Sequence, residues 1–326
     1  MKAFITGGTG FIGSHLIELL LNRDYAVRTI ATDPMFLEKL KSPNLEVILD
    51  DLNHFNDWPT VLDDVDIVFH LAGITRARQP EDYYLGNFQA TRKFVAMCKE
   101  HGKNVKRFVY VSSLAATGPC CSGQAVNEST AYHPVSHYGK SKMMAELEVL
   151  SVRKDFPVTI VRPSAVYGPR DRDMYKYFQL ILKGIHPIIG FRKKYLNLIH
   201  VEDLINGILL AGEKSSAEDQ IFFLGSTESY TNEQIGLAIA QAVSRYPVRV
   251  RVPHALIYMV GALAQVAGLL SGRQIFFNIQ KAREAVQTAW NCSIDKAQQI
   301  LGFYPRVSLA DGMQATYQWY RQNRWL

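Results

Sequence analysis

Thr6-Gly7-Gly8-Thr9-Gly10-Phe11-Ile12-Gly13 decides how the rest of the chain is read. Residues 2–6 before it are a short apolar run, expected as a buried strand. Ser14-His15-Leu16-Ile17-Glu18-Leu19-Leu20-Leu21 after it is a run of good helix formers. Strand, glycine turn and helix is the context that makes such a motif specific. Gly7 permits the tight turn, Gly10 lets the backbone approach a pyrophosphate, and Gly13 lets the helix pack close on its strand. The phosphates of a dinucleotide are then expected on the free N–H groups of the helix N-terminus. A glycine-rich turn without a ligand is the competing reading.

Further strands are expected at Tyr25–Ala31, Glu46–Leu49, Asp66–His70, Arg107–Val111 and Val158–Val161, alternating with helical stretches. That alternation predicts an α/β fold, a doubly wound parallel sheet. The strand ends carry the next candidates. Asp33 follows the second strand, where an acid bonds a free ribose hydroxyl, so NAD is preferred to NADP; capping a helix at 35–41 is its other reading. Asp51 and Leu52 follow the third strand and suit an adenine's amine and ring. Leu71-Ala72-Gly73 follow the fourth and leave room for cofactor backbone, while His70 reads as structural. A long helix over about 80–101 contains Asn87, placed to bond sheet-end backbone or to face solvent. The alternation loosens after about 165. A dinucleotide-binding part over 1–165, with 200–226 returning to it, and a smaller, helix-rich substrate part over 166–199 and 227–326 are expected.

Tyr138 and Lys142 lie four apart on an expected helix running to about 154, so they share a face. A phenol titrates near 10 and is a poor base at neutrality. An ammonium beside it favours the phenolate, and the pair is then suited to moving a proton on and off a substrate oxygen. Alone, such a pair is a common coincidence on a helix surface. Ser112-Ser113 end the fifth strand, and the long loop 114–132 follows, in the position where substrates bind in such sheets.

Composition excludes other classes. The chain has 326 residues, 48% hydrophobic and 20% charged, which is ordinary globular usage and rules out disorder. A net charge of +6 is scattered, with Arg192-Lys193-Lys194 the tight cluster, read as a solvated loop first, an anion contact second and a nucleic-acid surface last. Cys98, Cys120, Cys121 and Cys292 lack zinc-ligand spacing, so no metal is expected, and reduced thiols of a cytoplasmic protein are the default. No signal segment is expected before the first strand. The apolar run Ala255 to Leu270 is short for a membrane span, and a peripheral contact flanked by Arg249, Arg251 and Arg273 is the alternative to a buried helix.

Taken together, the glycine motif, Asp51-Leu52, His70-Leu71-Ala72-Gly73, Ser112-Ser113, Tyr138-x-x-x-Lys142, Arg162-Pro163, Tyr167-Gly168-Pro169, His200-Val201-Glu202-Asp203-Leu204 and Leu301-Gly302-Phe303-Tyr304-Pro305 resemble the extended short-chain dehydrogenase/reductases of the epimerase/dehydratase type, nearly end to end. The resemblance implies a Rossmann-type sheet and catalysis by Tyr138, Lys142 and Ser113. Tyr138 would act as acid and base, Lys142 would lower its pKa and hold the nicotinamide ribose, and Ser113 would bond the substrate oxygen. It implies an NAD or NADP site built from Gly7, Thr9, Gly10, Phe11, Ile12, Gly13, Asp33, Asp51, Leu52, Leu71, Ala72, Gly73, Asn87, Tyr138, Lys142, Pro163 and Val166. A homodimer through the helices around 80–101 and 137–154 is also implied.

Two departures narrow the reaction. Sugar-nucleotide dehydratases of this family carry an Asp-Glu pair where this chain has Leu114-Ala115, and its epimerases carry an Asn near Ala165. The pattern is more similar to the hydroxysteroid dehydrogenase and flavonol reductase branch. The expected reaction is therefore interconversion of a secondary alcohol and a ketone on a bulky, relatively apolar small molecule. A nucleotide-sugar 4-epimerase with tightly bound NAD and a non-catalytic dinucleotide-binding regulator are the alternatives. Cys120 and Cys121 are expected to be bystanders, since no activator of a loop thiol is evident.

Overall fold

Val, Ile and Phe runs that are buried on both faces build the centre of one parallel sheet. The computed structural model describes residues 1–52, 54–120, 124–271 and 277–326, with the side chains of all but 35, 36 and 269–271. In chain order the strands are β1 (Lys2–Thr6), β2 (Ala26–Ala31), β3 (Leu45–Leu49), β4 (Ile67–His70), β5 (Arg107–Val111), β6 (Val158–Pro163), β7 (Ala165–Tyr167), β8 (Ile185–Ile189), β9 (Tyr195–His200), β10 (Gln220–Leu224), β11 (Ser229–Thr231), β12 (Val248–Val252) and β13 (Ala289–Trp290). Seven of them form a sheet in the order β10-β6-β5-β4-β1-β2-β3, all parallel. The order reverses between β1 and β4, and ligands of such sheets bind beyond the strand ends at that switch.

The main helices are α1 (Phe11–Leu21), α2 (Ala90–His101), α3 (His137–Ser151), α4 (Arg172–Leu182), α5 (Val201–Glu213), α6 (Asn232–Ala242), α7 (His254–Ser271), α8 (Ile279–Ala285) and α9 (Leu309–Gln322). Adjacent strand residues point to opposite faces. Ile5 and Phe69 accordingly pack with Leu16 and Leu20 of α1 and Leu204 and Ile208 of α5. Phe4 and Val68 pack on the other side with Phe94 of α2 and Ala145 and Val149 of α3. This is the doubly wound Rossmann-like α/β fold expected from the sequence.

Some local expectations change. The stretch expected as a helix over 35–41 is a 3-10 turn, Met35–Lys39, and its cap position falls on Pro34 with no side-chain cap. The long helix over 80–101 is present but interrupted by a π-turn, Tyr84–Gln89, that contains Asn87. The loop after Ser113 begins with a short helix, Leu114–Thr117. The C-terminal part also holds more strand than expected: β7, β11 and β13 join β9, and β12 pairs with β8. β7, β11 and β13 have only two or three residues, too short for any alternation to stand out, whereas β12 is an alternating Val248-Arg249-Val250-Arg251-Val252 that is not among the strands expected from the sequence. Cys121, Gly123, Arg273 and the start of the helix expected over 275–288 lie outside the described residues.

Two buried polar clusters fix the pieces that matter later. His70 bonds Thr6 at 2.6 Å and Thr91 at 2.9 Å through its two ring nitrogens, tying β4 to β1 and α2. Burial pulls its pKa down to about 3, with the Lys142 charge acting the same way, so it is neutral and structural. Arg162 of β6 and Glu146 of α3 form an ion pair with both side chains essentially excluded from solvent. Arg162 donates to Glu146 at 3.0 and 2.7 Å, and the Tyr132 hydroxyl donates to the same carboxylate at 2.7 Å. Removing one partner of such a pair leaves the other charged and unpaired. Glu146→Ala is expected to cost about 3–5 kcal/mol, read as a lower urea midpoint.

Candidate functional site

The turn after β1 is a cradle closed by backbone, not by side chains. Gly7 has φ of +72°, the left-handed region, and a Cβ there would lie 2.7 Å from the Ala72 nitrogen. A Cβ at Gly13 would lie 2.2 Å from the Gly7 carbonyl oxygen, so only glycine lets α1 sit this close. α1 has no side-chain cap at Gly10 and no acid in its first turn. The N–H groups of Phe11, Ile12 and Gly13 are the ones an α-helix leaves without an internal acceptor. An uncapped helix start without negative charge at a sheet's switch point fits the diphosphate of a dinucleotide.

The other candidates fall along the same carboxyl edge. Leu71 donates to the Thr6 carbonyl at 3.1 Å, and the Ala72 N–H donates to the Thr6 hydroxyl at 3.1 Å, which lays Leu71-Ala72-Gly73 beside the glycine turn. Asp33 is exposed beyond β2. Beyond β3, Asp51 lies 3.1 Å from His54, and Leu52 packs on the core. Pro163 is buried at the end of β6, and Val166 stands in β7 opposite Ile199. Strand order puts Asp33, Asp51 and Leu52 on one side of the switch and Ser113, Tyr138 and Lys142 on the other, the span a dinucleotide crosses.

Ser113 hydrogen-bonds the Tyr138 hydroxyl, which favours the phenolate, and its oxygen also accepts from the Ala115 N–H at 3.1 Å. Ser112 is buried, and its hydroxyl has no partner. Lys142 is buried and donates to the Val111 carbonyl at 2.7 Å, with its ammonium 4.4 Å from the centre of the Tyr110 ring. Burial pulls the Lys142 pKa down to about 7 against the opposing pull of Glu146, one turn along α3. Asn87 accepts from the Ile74 N–H at 2.7 Å and donates to the Ile74 carbonyl at 3.1 Å and to Ser141 at 2.9 Å. Ser141 in turn donates to the Tyr138 carbonyl at 2.7 Å. Asn87 therefore bonds sheet-end backbone, and it couples the end of β4 to the turn of α3 that carries Tyr138.

The tuning of Tyr138 differs from the expectation drawn on its helix-mate Lys142. Burial raises the Tyr138 pKa, and the cation that most opposes this is Lys281 of α8. The Lys281 ammonium lies 5.6 Å from the centre of the Tyr138 ring and 3.1 Å from Glu284. Glu284 also holds its pKa above the usual lysine range, keeping it charged. The Lys142 ammonium is bonded instead to the Val111 carbonyl. α8 is seated by the Ser136 hydroxyl, which donates to Glu284 at 2.6 Å, and by the His137 N–H, which donates to Gln280 at 3.2 Å. Tyr83, buried, meets Tyr138 edge-on at 6.1 Å and hydrogen-bonds Asn278. Lys281, Glu284, Tyr83 and Ser141 carry no motif of their own; only Ser141, inside Tyr-x-x-Ser-Lys, lay near one.

Of the other thiol and basic candidates, Cys120 and Lys194 are occupied. Cys120 donates to the Asn291 carbonyl at 3.1 Å, pinning the loop after Ser113 beside the end of β13. Lys194 is turned inward and donates to the Val286 and Gln287 carbonyls beyond α8, while Arg192 and Lys193 are exposed.

Comparison with known proteins agrees with this geometry. The model of the NAD dependent epimerase/dehydratase family matches residues 3–225. The chain is 29% identical to a ceramide reductase of Caulobacter vibrioides, over 99% of this chain and 95% of that protein. It is 26% identical to the human decarboxylating sterol-4-alpha-carboxylate 3-dehydrogenase, over 99% and 89%. Among solved structures, UDP-glucuronic acid 4-epimerase from Bacillus cereus, in complex with UDP-glucuronic acid and NAD, superposes with a TM-score of 0.82 at 23% identity, covering 99% of this chain and 100% of that one, and shows the shared fold. The expected resemblance is thereby borne out, and the chain is an enzyme of the extended short-chain dehydrogenase/reductase type that belongs to the NAD dependent epimerase/dehydratase family.

Proposed function

We propose that the enzyme interconverts a secondary alcohol and a ketone on a bulky, relatively apolar substrate, with residues 1–165 and 200–226 holding the cofactor and 166–199 and 227–326 shaping the substrate side. The observation that carries this reading is the Ser113–Tyr138 hydrogen bond at the sheet's carboxyl edge, with the ammonium of Lys142 buried beside that edge. NAD(P), when bound, would accept or supply the hydride. Tyr138 takes the proton from, or returns it to, the substrate oxygen, and Ser113 bonds that oxygen. Lys142 holds the nicotinamide ribose. Asp33 at the end of β2 favours NAD over NADP. Leu114 and Ala115 offer no acid or base for eliminating water, and the near full-length relatives named for ceramide and sterol chemistry support an apolar substrate.

The second reading, a nucleotide-sugar 4-epimerase, is favoured by a relative named as an uncharacterized UDP-glucose epimerase, 28% identical over 96% of this chain. The two separate in one assay. Net alcohol–ketone conversion changes NAD(P)H absorbance in proportion to substrate consumed. Epimerisation of UDP-sugars leaves it unchanged and would displace the first reading.

Tyr138→Phe is expected to lower turnover by about 10²–10⁴-fold while cofactor binding stays within about twofold. Retained turnover would remove Tyr138 from the mechanism. Lys281 supplies the second check. An ammonium beside a phenol lowers its pKa, so removing it raises that pKa. In Lys281→Gln the acidic, ascending limb of alcohol oxidation is expected to move to higher pH by about one unit, with Lys281→Arg restoring the original profile. An unmoved limb would confine Lys281 to a structural role.

A further inference from the structure

α7 exposes the kind of face that a solvated helix hides. Leu256, Met259, Val260, Leu263 and Val266 are 40, 52, 46, 63 and 54% exposed. Their spacing sets them along one side. The opposite side is seated on α8 at Gly261, where a Cβ would lie 3.2 Å from that of Ala282. Residues 254–271 contain no Asp, Glu, Lys or Arg. Pro253 alone separates α7 from β12, and there Val248 and Val250 stand in register with Ile185 and Pro187 of β8. Ile185, Val248 and Val250 are exposed as well.

The charge carried by these elements has one sign. Residues 184–199 and 245–271 contain no acid, and they carry Arg192, Lys193, Lys194, Arg245, Arg249 and Arg251. Arg192, Lys193, Arg245 and Arg249 are exposed, whereas Lys194 is turned inward and Arg251 lies 3.8 Å from Glu233. A second copy docking by this face in a two-fold dimer would set these cations against their own kind. An anionic bilayer satisfies both features, since its acyl boundary takes the apolar face and its headgroups take the cations. No described helix is long and apolar enough to cross a membrane.

We propose that α7 and the β8–β12 ribbon dock in the plane of an anionic phospholipid surface. α7 packs on α8, and α8 is hydrogen-bonded to Ser136 and His137 beside Tyr138. The docked surface is therefore one helix away from the proton-handling end of the site. That delivery role rests on the proposed apolar substrate; the docking itself does not.

The test is co-flotation of the full chain with phosphatidylcholine vesicles, with and without phosphatidylglycerol. Binding to the anionic vesicles is expected at least tenfold above the neutral ones, and weaker at high salt. Met259→Glu/Leu263→Glu is expected to lose about tenfold or more of it with an unchanged circular dichroism spectrum. Arg192→Gln/Arg249→Gln is expected to abolish the preference for the anionic lipid while leaving the apolar face intact. Absence of wild-type flotation, or equal binding to both vesicles, overturns the proposal. So does a dimer in light scattering that Leu263→Glu splits while vesicle binding persists. Turnover of a soluble ketone is read separately, so failure of the oxidoreductase reading leaves the flotation result standing.

Discussion

The buried pair of Glu146 and Arg162 sets the rotation of the helix on which the chemistry depends. Tyr138, Lys142 and Glu146 are spaced four apart on α3, so they lie along one side of it. Arg162 is held by β6, and its bidentate contact with Glu146 lets α3 turn little without stranding a charge in the core. With that end locked, Lys142 meets the Val111 carbonyl and Tyr138 meets Ser113. The Asn87–Ser141 link holds the same turn from the β4 side. The π-turn at 84–89 is what carries Asn87 there, and such turns recur at functional sites because they reset the side-chain register of a helix.

The electrostatics of the site follow from what each cation already touches. Lys142 is deep, desolvated and engaged with backbone, so it is costly to charge. Lys281 is half-buried and paired with Glu284, whose attraction outweighs the cost of burial, so it stays charged. The phenol therefore feels most strongly a cation from a distant part of the chain, brought in by α8. Docking of α8 and tuning of Tyr138 are one event, because the contacts that seat α8 lie on the cap and first helical residue of α3.

Much of the core fold was legible because it rests on local rules. A glycine turn between a strand and a helix, buried strands at regular spacing and a family-wide series of motifs are properties of short segments, and each survived into the structure. Alternation on a strand says that only one of Ser112 and Ser113 can point inward; the choice of Ser113 came from the family's spacing to Gly118 and Tyr138. The small strands β7, β8, β11 and β13 were not legible, because each is stabilised by its pairing partner and not by its own pattern, whereas β12 does alternate, as Val248-Arg249-Val250-Arg251-Val252, and was missed.

The sequence by itself determined the sheet, the glycine turn between β1 and α1, and the shared face of Tyr138 and Lys142, because these depend on spacing within single elements or between neighbouring ones. The tertiary structure alone decided which cation acts on Tyr138, how Asn87 and Arg162 hold its helix, and that the apolar side of α7 faces outward. Each of those is a contact, or the lack of one, between residues far apart in the chain. Their geometry exists only after the helix-rich C-terminal part has packed against the sheet.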